Sequence, residues 1–488
     1  MPLSGLLDVV ATDPVLADAL VRAEAGDLPA LDLISPPGSR PFAIAALAAR
    51  TGRMVLAVVA TGREAEDLQA ALGSLLPPER VAVFPSWETL PHERMSPRAD
   101  TVGRRLAVLR RITRPIEGGG DIQVAAGPLD VVICPVRSLV QPMVPGLGEL
   151  EPVSLRVGDE IELDAVVDGL AGAAYARVDL VERRGEFAVR GGLVDVFPPT
   201  EEHPLRVEFW GDTVEEIRPF KIADQRSIDG PGMSTGPVTR ESLWAPPCRE
   251  LLLTKEVRAR AAALLTSHPE LADIVGRIAE GIAVEGMEAL SPVLVDRMEL
   301  LVDQVPRNTL IVACDPERIR ARAHDLVRTS QEFLEASWSG AAVGGQAPID
   351  LGAAALRDLA EVRDHARALG LPWWTVAPFA STDSATSEAV ASEAVSAVAH
   401  ADSDAALGAR PPEAYRGETE RAVADIKGWL ADGWSVVLVA AGHGTAQRMV
   451  EVLAADSLPA RMVDEVPAAE PGMALVTCGE LATGFLDE

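Results

Sequence analysis

The amino-acid sequence predicts a multidomain α/β fold in which a parallel sheet is covered on both faces by helices. Apolar strands alternate with amphipathic helices from residue 28 onward, and the strands at 53–61 and 130–135 are apolar throughout. The length of 488 residues exceeds what one hydrophobic core normally holds and indicates about three or four domains.

Residues 1–145 carry the first part of this α/β domain. The predicted strands are 28–35, 53–61, 80–85 and 130–135, and the predicted helices are 41–52 and 62–76. The pattern resumes in residues 229–380, which contain predicted helices at 248–268 and 278–290 and predicted strands at 309–316 and 371–379. Neither segment is bounded as a complete unit, so we interpret the two as one domain.

Residues 146–228 interrupt that domain with a different pattern. Short stretches of β-branched and aromatic residues are separated by Gly, Pro and Asp, which predicts a small, antiparallel, β-rich inserted domain. Residues 381–417 are rich in Ala, Ser and Asp and are predicted to form a linker. Residues 418–488 predict a small, separate α/β third domain, and because this segment lacks a clear last element we expect the chain to be part of a longer protein.

The charge and the cysteine content narrow the function classes. Lys and Arg number 44 against 73 Asp and Glu, a net charge of −29, so the chain as a whole is expected to be repelled by DNA. The acidity fits either a basic partner or simple solubility. The four cysteines are far apart, which argues against a zinc site or a disulfide framework. Because the sequence shows neither a signal peptide nor an apolar run of about 20 residues, we expect no membrane contact and a cytoplasmic location.

A nucleotide site is expected after the first strand of such a fold, and its chemistry is missing there. A phosphate-binding P-loop needs glycines, a Lys and a Ser or Thr, so that main-chain amides and the lysine surround the phosphates. The chain instead has Ser35, Gly38, Ser39 and Arg40 among prolines at 36, 37 and 41, which lack amide hydrogens. Arg40 can contact a phosphate or be an ordinary surface arginine, and we favour the latter.

The acidic half of a nucleotide site is equally incomplete. Asp315 follows a buried strand in a suitable place, but Pro316 stands where a catalytic Glu would be. The sequence therefore predicts a helicase-like, degenerate P-loop domain with no catalytic residues and no metal site.

Two stretches resemble a known family. Residues 81–112 (VAVFPSWETLPHERMSPRADTVGRRLAVLRRI) resemble the first-domain segment of the transcription-repair coupling factors (Mfd). Residues 175–220, with the ordered pattern RRGxFxVRGxxVDVFP…RVEFxGDxxEEIR, resemble the second domain that these factors share with the excision-repair protein UvrB. The likeness covers the UvrB-homology region and the third domain of an actinobacterial type.

The resemblance implies a modular protein and names its partners. A UvrB-like module recruits UvrA, and separate domains bind RNA polymerase and translocate on DNA with ATP and Mg²⁺. Because the matching residues contain no motor motif, the resemblance implies no cofactor for this chain and no ATPase or translocase activity. It also implies contact with RNA polymerase and DNA only through other domains, and an intramolecular partner in the C-terminal half of the parent protein.

The same resemblance assigns candidate UvrA-binding residues, which are Arg177, Arg190, Arg206 and Glu208. Arg190 is expected to face solvent because Phe187 and Val189 alternate with it. Ala188 replaces an arginine of the family pattern and is also expected to face outward. For Arg206 and Glu208, pairing with neighbours on the same sheet face is an equal alternative.

A local basic segment lies between Arg94 and Arg114 in this acidic chain. We favour helical salt bridges for these arginines, and weak DNA contact is the alternative. For the chain as a whole, the main hypothesis is a UvrA adaptor. An autoinhibitory or structural module that restrains the motor half is the alternative, and an ATPase would need the nucleotide site that the sequence lacks.

Overall fold

The computed structural model describes residues 1–26, 28–90, 93, 95–115, 127–228, 238–267, 271–342, 355–379, 405–467 and 470–487. Arg94 and residues 381–404 of the predicted linker lie outside this set. None of the helices in these ranges is long and apolar enough to cross a membrane.

The strands are β1 Ala30–Ile34, β2 Val55–Val59, β3 Val81–Val83, β4 Val131–Pro135, β5 Val153–Arg156, β6 Ala176–Arg177, β7 Glu186–Arg190, β8 Leu193–Val196, β9 Leu205–Trp210, β10 Thr213–Pro219, β11 Ser242–Ala245, β12 Leu310–Cys314, β13 Trp373–Ala377, β14 Ala405–Ala406, β15 Ala409–Arg410, β16 Val436–Ala440, β17 Ala460–Met462, β18 Ala474–Cys478 and β19 Leu486–Asp487. The α-helices are α1 Leu6–Val10, α2 Pro14–Ala25, α3 Arg40–Thr51, α4 Gly62–Gly73, α5 Ala99–Thr113, α6 Val136–Val140, α7 Leu163–Gly172, α8 Lys255–Ser267, α9 Ala272–Ala279, α10 Ser291–Leu294, α11 Leu301–Gln304, α12 Pro316–Ala342, α13 Leu359–Ala368, α14 Thr419–Ala431 and α15 His443–Ala455.

A seven-stranded sheet in the order β14-β1-β13-β12-β2-β4-β3 forms the centre of the chain, and its neighbouring strands are parallel. Strand β2 shows why these strands are apolar throughout. Leu56 and Val58 belong to the hydrophobic core on one face, and Val55, Ala57 and Val59 belong to the core on the other. The predicted parallel sheet with two covered faces is confirmed. Strands β1 to β4 come from residues 1–145 and β12 and β13 come from residues 229–380, so both segments contribute to one sheet.

Helices α1 and α2, which were not predicted from the sequence, cover part of the core that contains Val55, Ala57 and Val59. Leu7, Leu16 and Leu20 are buried in that core. The local signal for α2 is present in the sequence, because Asp13 precedes Pro14 and its carboxylate accepts hydrogen bonds from the main-chain amides of the first turn.

The β-rich segment forms a five-stranded sheet in the order β10-β9-β8-β7-β6, with antiparallel pairing from β7 to β10. Helix α7 packs against this sheet, although the sequence had predicted strands only. Val166 and Leu170 are four residues apart and bury the same helix face. Strand β5 pairs with β11, which lies beyond the predicted boundary at residue 228.

Two predicted helices are wrong in their extents. The helix predicted at 248–268 begins only at Lys255, because Thr254 caps it by accepting a hydrogen bond from the amide of Val257 at 3.3 Å. The helix predicted at 278–290 is absent, since α9 ends at Ala279 and Gly281 takes a left-handed conformation with φ 85°.

The last described segments form a three-stranded parallel sheet in the order β16-β18-β17 with α14 and α15. Two short strands lie in the stretch predicted as a linker. Strand β14 pairs with β1 and extends the large sheet, and β15 pairs with β19. The described end of that stretch therefore contacts both α/β units.

Candidate functional site

Strand β9 lies inside the five-stranded sheet and separates two kinds of side chain. Leu205, Val207 and Phe209 are buried in the core under the sheet. Arg206, Glu208 and Trp210 therefore lie on the opposite, outer face, because successive side chains of a strand alternate between faces. Arg206 is aligned with Asp195 of β8, and Glu208 is aligned with Leu193.

The buried carboxylate of Asp195 holds two of the candidate arginines. Its side chain is 1% exposed and accepts hydrogen bonds from Arg206 Nε at 2.6 Å, Arg206 Nη2 at 2.8 Å and Arg190 Nη2 at 2.7 Å. The hydrogen bonds to Asp195 raise the pKa of the Arg206 guanidinium. The two arginines differ in access, because the side chain of Arg206 is 15% exposed and that of Arg190 is 49% exposed.

The segment after β10 covers part of the outer face. The Arg206 guanidinium lies 4.7 Å from the ring centre of Phe220, which is fully buried. Ala188 is also buried and packs in a small cluster with Val181, Phe197 and Phe220. Ala188 lies on the predicted outer side of β7, where it is aligned with Asp195, but the cluster covers it and it is not exposed to solvent. A longer, charged side chain at position 188 would have to be accommodated within this apolar cluster.

The remaining candidates, Glu208 and Arg177, are more exposed than Arg206. Glu208 lies on the outer face and pairs with Arg218 of β10 at 3.2 Å. Arg177 is exposed on the edge strand β6, where it is aligned with Phe187 rather than with Arg190. The structure thus brings Arg190, Arg206 and Glu208 together on one face and places Arg177 at the edge of the sheet.

Sequence reasoning missed the residue that organises this face, Asp195. The signal was a charged residue in the apolar strand Leu193–Val196, because a carboxylate in such a strand is rarely buried without a cationic partner. A second missed feature is Trp210, which is 79% exposed at the end of β9.

The loop between β1 and α3, where a P-loop would bind phosphate, is in contact with the end of the described chain. A Cβ atom on Gly38 would lie 2.0 Å from the carbonyl oxygen of Gly484, and the rings of Phe42 and Phe485 have centroids 4.9 Å apart. Ser39 donates to the carbonyl of Pro36 at 3.1 Å. The loop is thus closed by internal hydrogen bonds and by backbone from residues 484–485.

The other predicted residues of this region, Asp315 and Arg40, differ in their contacts. Asp315 precedes α12 and its carbonyl accepts a hydrogen bond from the amide of Ile319 at 3.0 Å. Arg40 begins α3 and is only partly exposed, and its Nε and Nη2 are buried without a hydrogen-bond partner among the described residues. The interpretation of Arg40 as an ordinary surface arginine is therefore wrong. Burial raises the pKa of the neighbouring thiol of Cys314 to about 11, which favours the protonated thiol at neutral pH. The described ranges contain no group of three or more His, Cys, Asp or Glu residues that could hold a metal ion.

Three described arginines of the local basic segment bind glutamates within the chain. Arg105 pairs with Glu250 at 2.5 Å with both side chains buried, and Arg110 pairs with Glu151 at 3.0 Å. Arg114 hydrogen-bonds to Glu149 at 2.8 Å, which raises the pKa of its guanidinium. Salt bridges are therefore present, but these glutamates lie outside α5, so the pairs are tertiary contacts rather than the helical pairs that the sequence predicts.

Comparison with known proteins gives a family match for the β-rich unit and a relative for nearly the whole chain. Residues 153–232 match the family model described as the UvrB interaction domain. The transcription-repair-coupling factor of Mycobacterium tuberculosis is 46% identical over 500 aligned residues, which cover 99% of this chain. Along nearly its whole length, the chain is therefore similar to the transcription-repair-coupling factors.

Other transcription-repair-coupling factors match over shorter stretches. The Myxococcus xanthus protein is 34% identical over 258 residues and 49% of this chain, and the Escherichia coli protein is 31% identical over 171 residues and 34% of it. The chain spans 38% of the length of the Mycobacterium tuberculosis factor, 20% of the Myxococcus xanthus factor and 14% of the Escherichia coli factor.

Proposed function

We propose that this chain is the adaptor module through which a transcription-repair-coupling factor recruits UvrA in the cytoplasm. The observation that carries the proposal is the match of residues 153–232 to the UvrB interaction domain. The outer face of the sheet within that match presents Arg190 and Glu208, which supports a docking role for it.

The contacts of Arg190 suit protein recognition. Asp195 holds one nitrogen of its guanidinium, and half of the side chain remains exposed. An arginine fixed in this way loses little conformational entropy on binding, and its remaining donors can form paired hydrogen bonds with a carboxylate of the partner. Arg206 fixes the position of Asp195, because its Nε donates a hydrogen bond to Oδ1, the carboxylate oxygen that Arg190 does not contact.

The first test is a calorimetric titration of the chain with its cognate UvrA. Arg190→Ala is expected to weaken binding by about thirtyfold, because loss of a central interface arginine costs about 2 kcal/mol or more. Arg177→Ala, tested separately, measures whether the edge of the sheet belongs to the same surface. Arg63→Ala is the matched control, because Arg63 is exposed on α4 outside the β-rich unit. Absence of binding by the unmodified chain would refute the adaptor proposal.

We also propose that the chain neither binds nor hydrolyses ATP. The loop at 35–41 has three prolines that donate no amide hydrogen, and the carbonyl of Gly484 occupies the space above Gly38. Titration with Mg²⁺–ATP is expected to give no saturable heat. Saturable binding that is lost on mutation of Arg40 would contradict this proposal and restore the loop as a nucleotide site.

The remaining partners belong to the whole parent protein. We propose that RNA polymerase and DNA are engaged by domains outside this chain, and that the C-terminal half of the parent covers the UvrA-docking face until activation. The same titration with the full-length protein tests this point. Weaker UvrA binding by the full-length protein than by the chain supports the covering contact, and equal binding contradicts it.

A further inference from the structure

The outer face of the sheet carries an exposed tryptophan, Trp210, in addition to its charged residues. Trp210 is 79% exposed, whereas Trp87 and Trp244 are 7% and 6% exposed. Burying an aromatic side chain of this size against a partner removes about 150–250 Å² of surface from water. An exposed indole on a rigid strand is therefore a strong candidate for an interface anchor, and Trp is enriched at such positions.

The backbone beside Trp210 leaves the indole uncovered. The amide of Phe209 donates to the carbonyl of Gly192 at 2.8 Å, so the turn between β7 and β8 lies directly against this end of β9. Glycines occupy both turn positions, 191 and 192, and a Cβ at Gly192 would lie 2.9 Å from the carbonyl oxygen of Phe209. The close approach requires glycine at 192, and consequently no turn side chain covers the tryptophan.

Trp210 shares its face with the residues already assigned to docking. Arg190, Leu193 and Glu208 are aligned across β7, β8 and β9, and Trp210 follows Glu208 by two residues on the same face. Two strand spacings separate Arg190 from Glu208, about 10 Å, and one pleat repeat of about 7 Å separates Glu208 from Trp210. We call these four residues the anchor patch. Its apolar members, Leu193 and Trp210, lie beside a cation and an anion, a composition typical of protein interfaces.

We propose that Trp210 is the apolar anchor of the UvrA-docking surface and inserts into an apolar pocket of that partner while Arg190 pairs with a carboxylate at the rim. The inference rests on the proposed function, because it places the same partner on the same face. Continuity with the Arg190 and Glu208 contacts favours UvrA over an unrelated occupant, and the exposed cation of Arg190 calls for an acidic group next to the pocket.

The test compares Trp210→Ala with Phe379→Ala in titrations with cognate UvrA. Phe379 is 80% exposed outside the β-rich unit, which makes it a control for loss of an exposed aromatic ring. Trp210→Ala is expected to bind about thirtyfold more weakly, the loss that removal of a central interface tryptophan commonly causes. Trp210→Phe is expected to lie between it and the unmodified chain. Phe379→Ala is expected to bind normally, and all three variants should keep the melting temperature.

Acrylamide quenching gives a second readout. The difference in fluorescence between the unmodified chain and Trp210→Phe reports Trp210, and UvrA is expected to protect that signal from the quencher. Normal binding by Trp210→Ala together with weak binding by Arg190→Ala would overturn the anchor and leave the adaptor function intact. If the unmodified chain fails to bind UvrA, both fall. A dimer of this chain that Trp210→Ala dissociates would show that the patch is a self-association face and would also overturn the proposal.

Discussion

Asp195→Ala is expected to lower the free energy of unfolding by about 3–5 kcal/mol, because removing one partner of a buried ion pair leaves the other charge uncompensated. Asp195 is 1% exposed and accepts three hydrogen bonds from Arg190 and Arg206. Without the carboxylate, Arg206 retains its contact with Phe220 and a long hydrogen bond to the carbonyl of Gln225 at 3.3 Å. Urea unfolding and hydrogen exchange of the β8 and β9 amides measure the loss.

The same substitution is expected to weaken UvrA binding, because Arg190 loses the contact that fixes its guanidinium. A double variant, Asp195→Ala with Arg206→Leu, separates the two effects. It removes both buried charges and is expected to recover much of the stability while UvrA binding stays weak. Asp168→Ala is the control, since Asp168 is exposed on α7 and its loss should change stability by less than about 0.5 kcal/mol. A similarly small effect for Asp195→Ala would contradict the role of this carboxylate.

The large sheet could be predicted from the sequence because its strands carry the information locally. Both faces of a strand such as β2 are buried, so an uninterrupted apolar run indicates a covered parallel sheet without knowledge of its neighbours. The two faces of β9 can also be predicted from the sequence. Its alternation of apolar and polar residues places Arg206 and Glu208 on the outer face, as the structure has them.

The contacts of the candidate site depend on residues distant in sequence, which local patterns do not reveal. Ala188 is buried because it packs in a cluster with Phe197 and Phe220. Arg177 departs from the face of Arg190 because the register of β6 aligns it with Phe187, whose side chain lies in the core. The cover over the 35–39 loop comes from Gly484, more than four hundred residues away. Asp195 was visible as a charge in an apolar strand, but its two partners follow from the register of β7, β8 and β9.

The second large effect is expected at the buried pair of Arg105 and Glu250, which joins the two halves of the α/β unit. The two side chains are 0% and 1% exposed, and Glu250 also accepts a hydrogen bond from Trp87 Nε1 at 2.9 Å. Arg105 donates to the carbonyl of Pro85 at 2.8 Å and lies 4.2 Å from the ring centre of Phe84. Glu250→Ala is expected to lower the free energy of unfolding by about 3–5 kcal/mol, since it leaves the buried guanidinium of Arg105 without its anionic partner.

The pair connects the chain segments on either side of the β-rich unit, because Arg105 lies on α5 before the unit and Glu250 follows β11. Replacing both residues together, Arg105→Met with Glu250→Leu, is expected to be far less damaging than either single change. Arg98→Ala is the matched control on the exposed start of α5, where the side chain is 72% exposed. Thermal unfolding of Glu250→Ala, the double variant and Arg98→Ala decides the point. If the double variant is as unstable as Glu250→Ala, packing rather than an uncompensated charge dominates, and the charge-pair explanation fails.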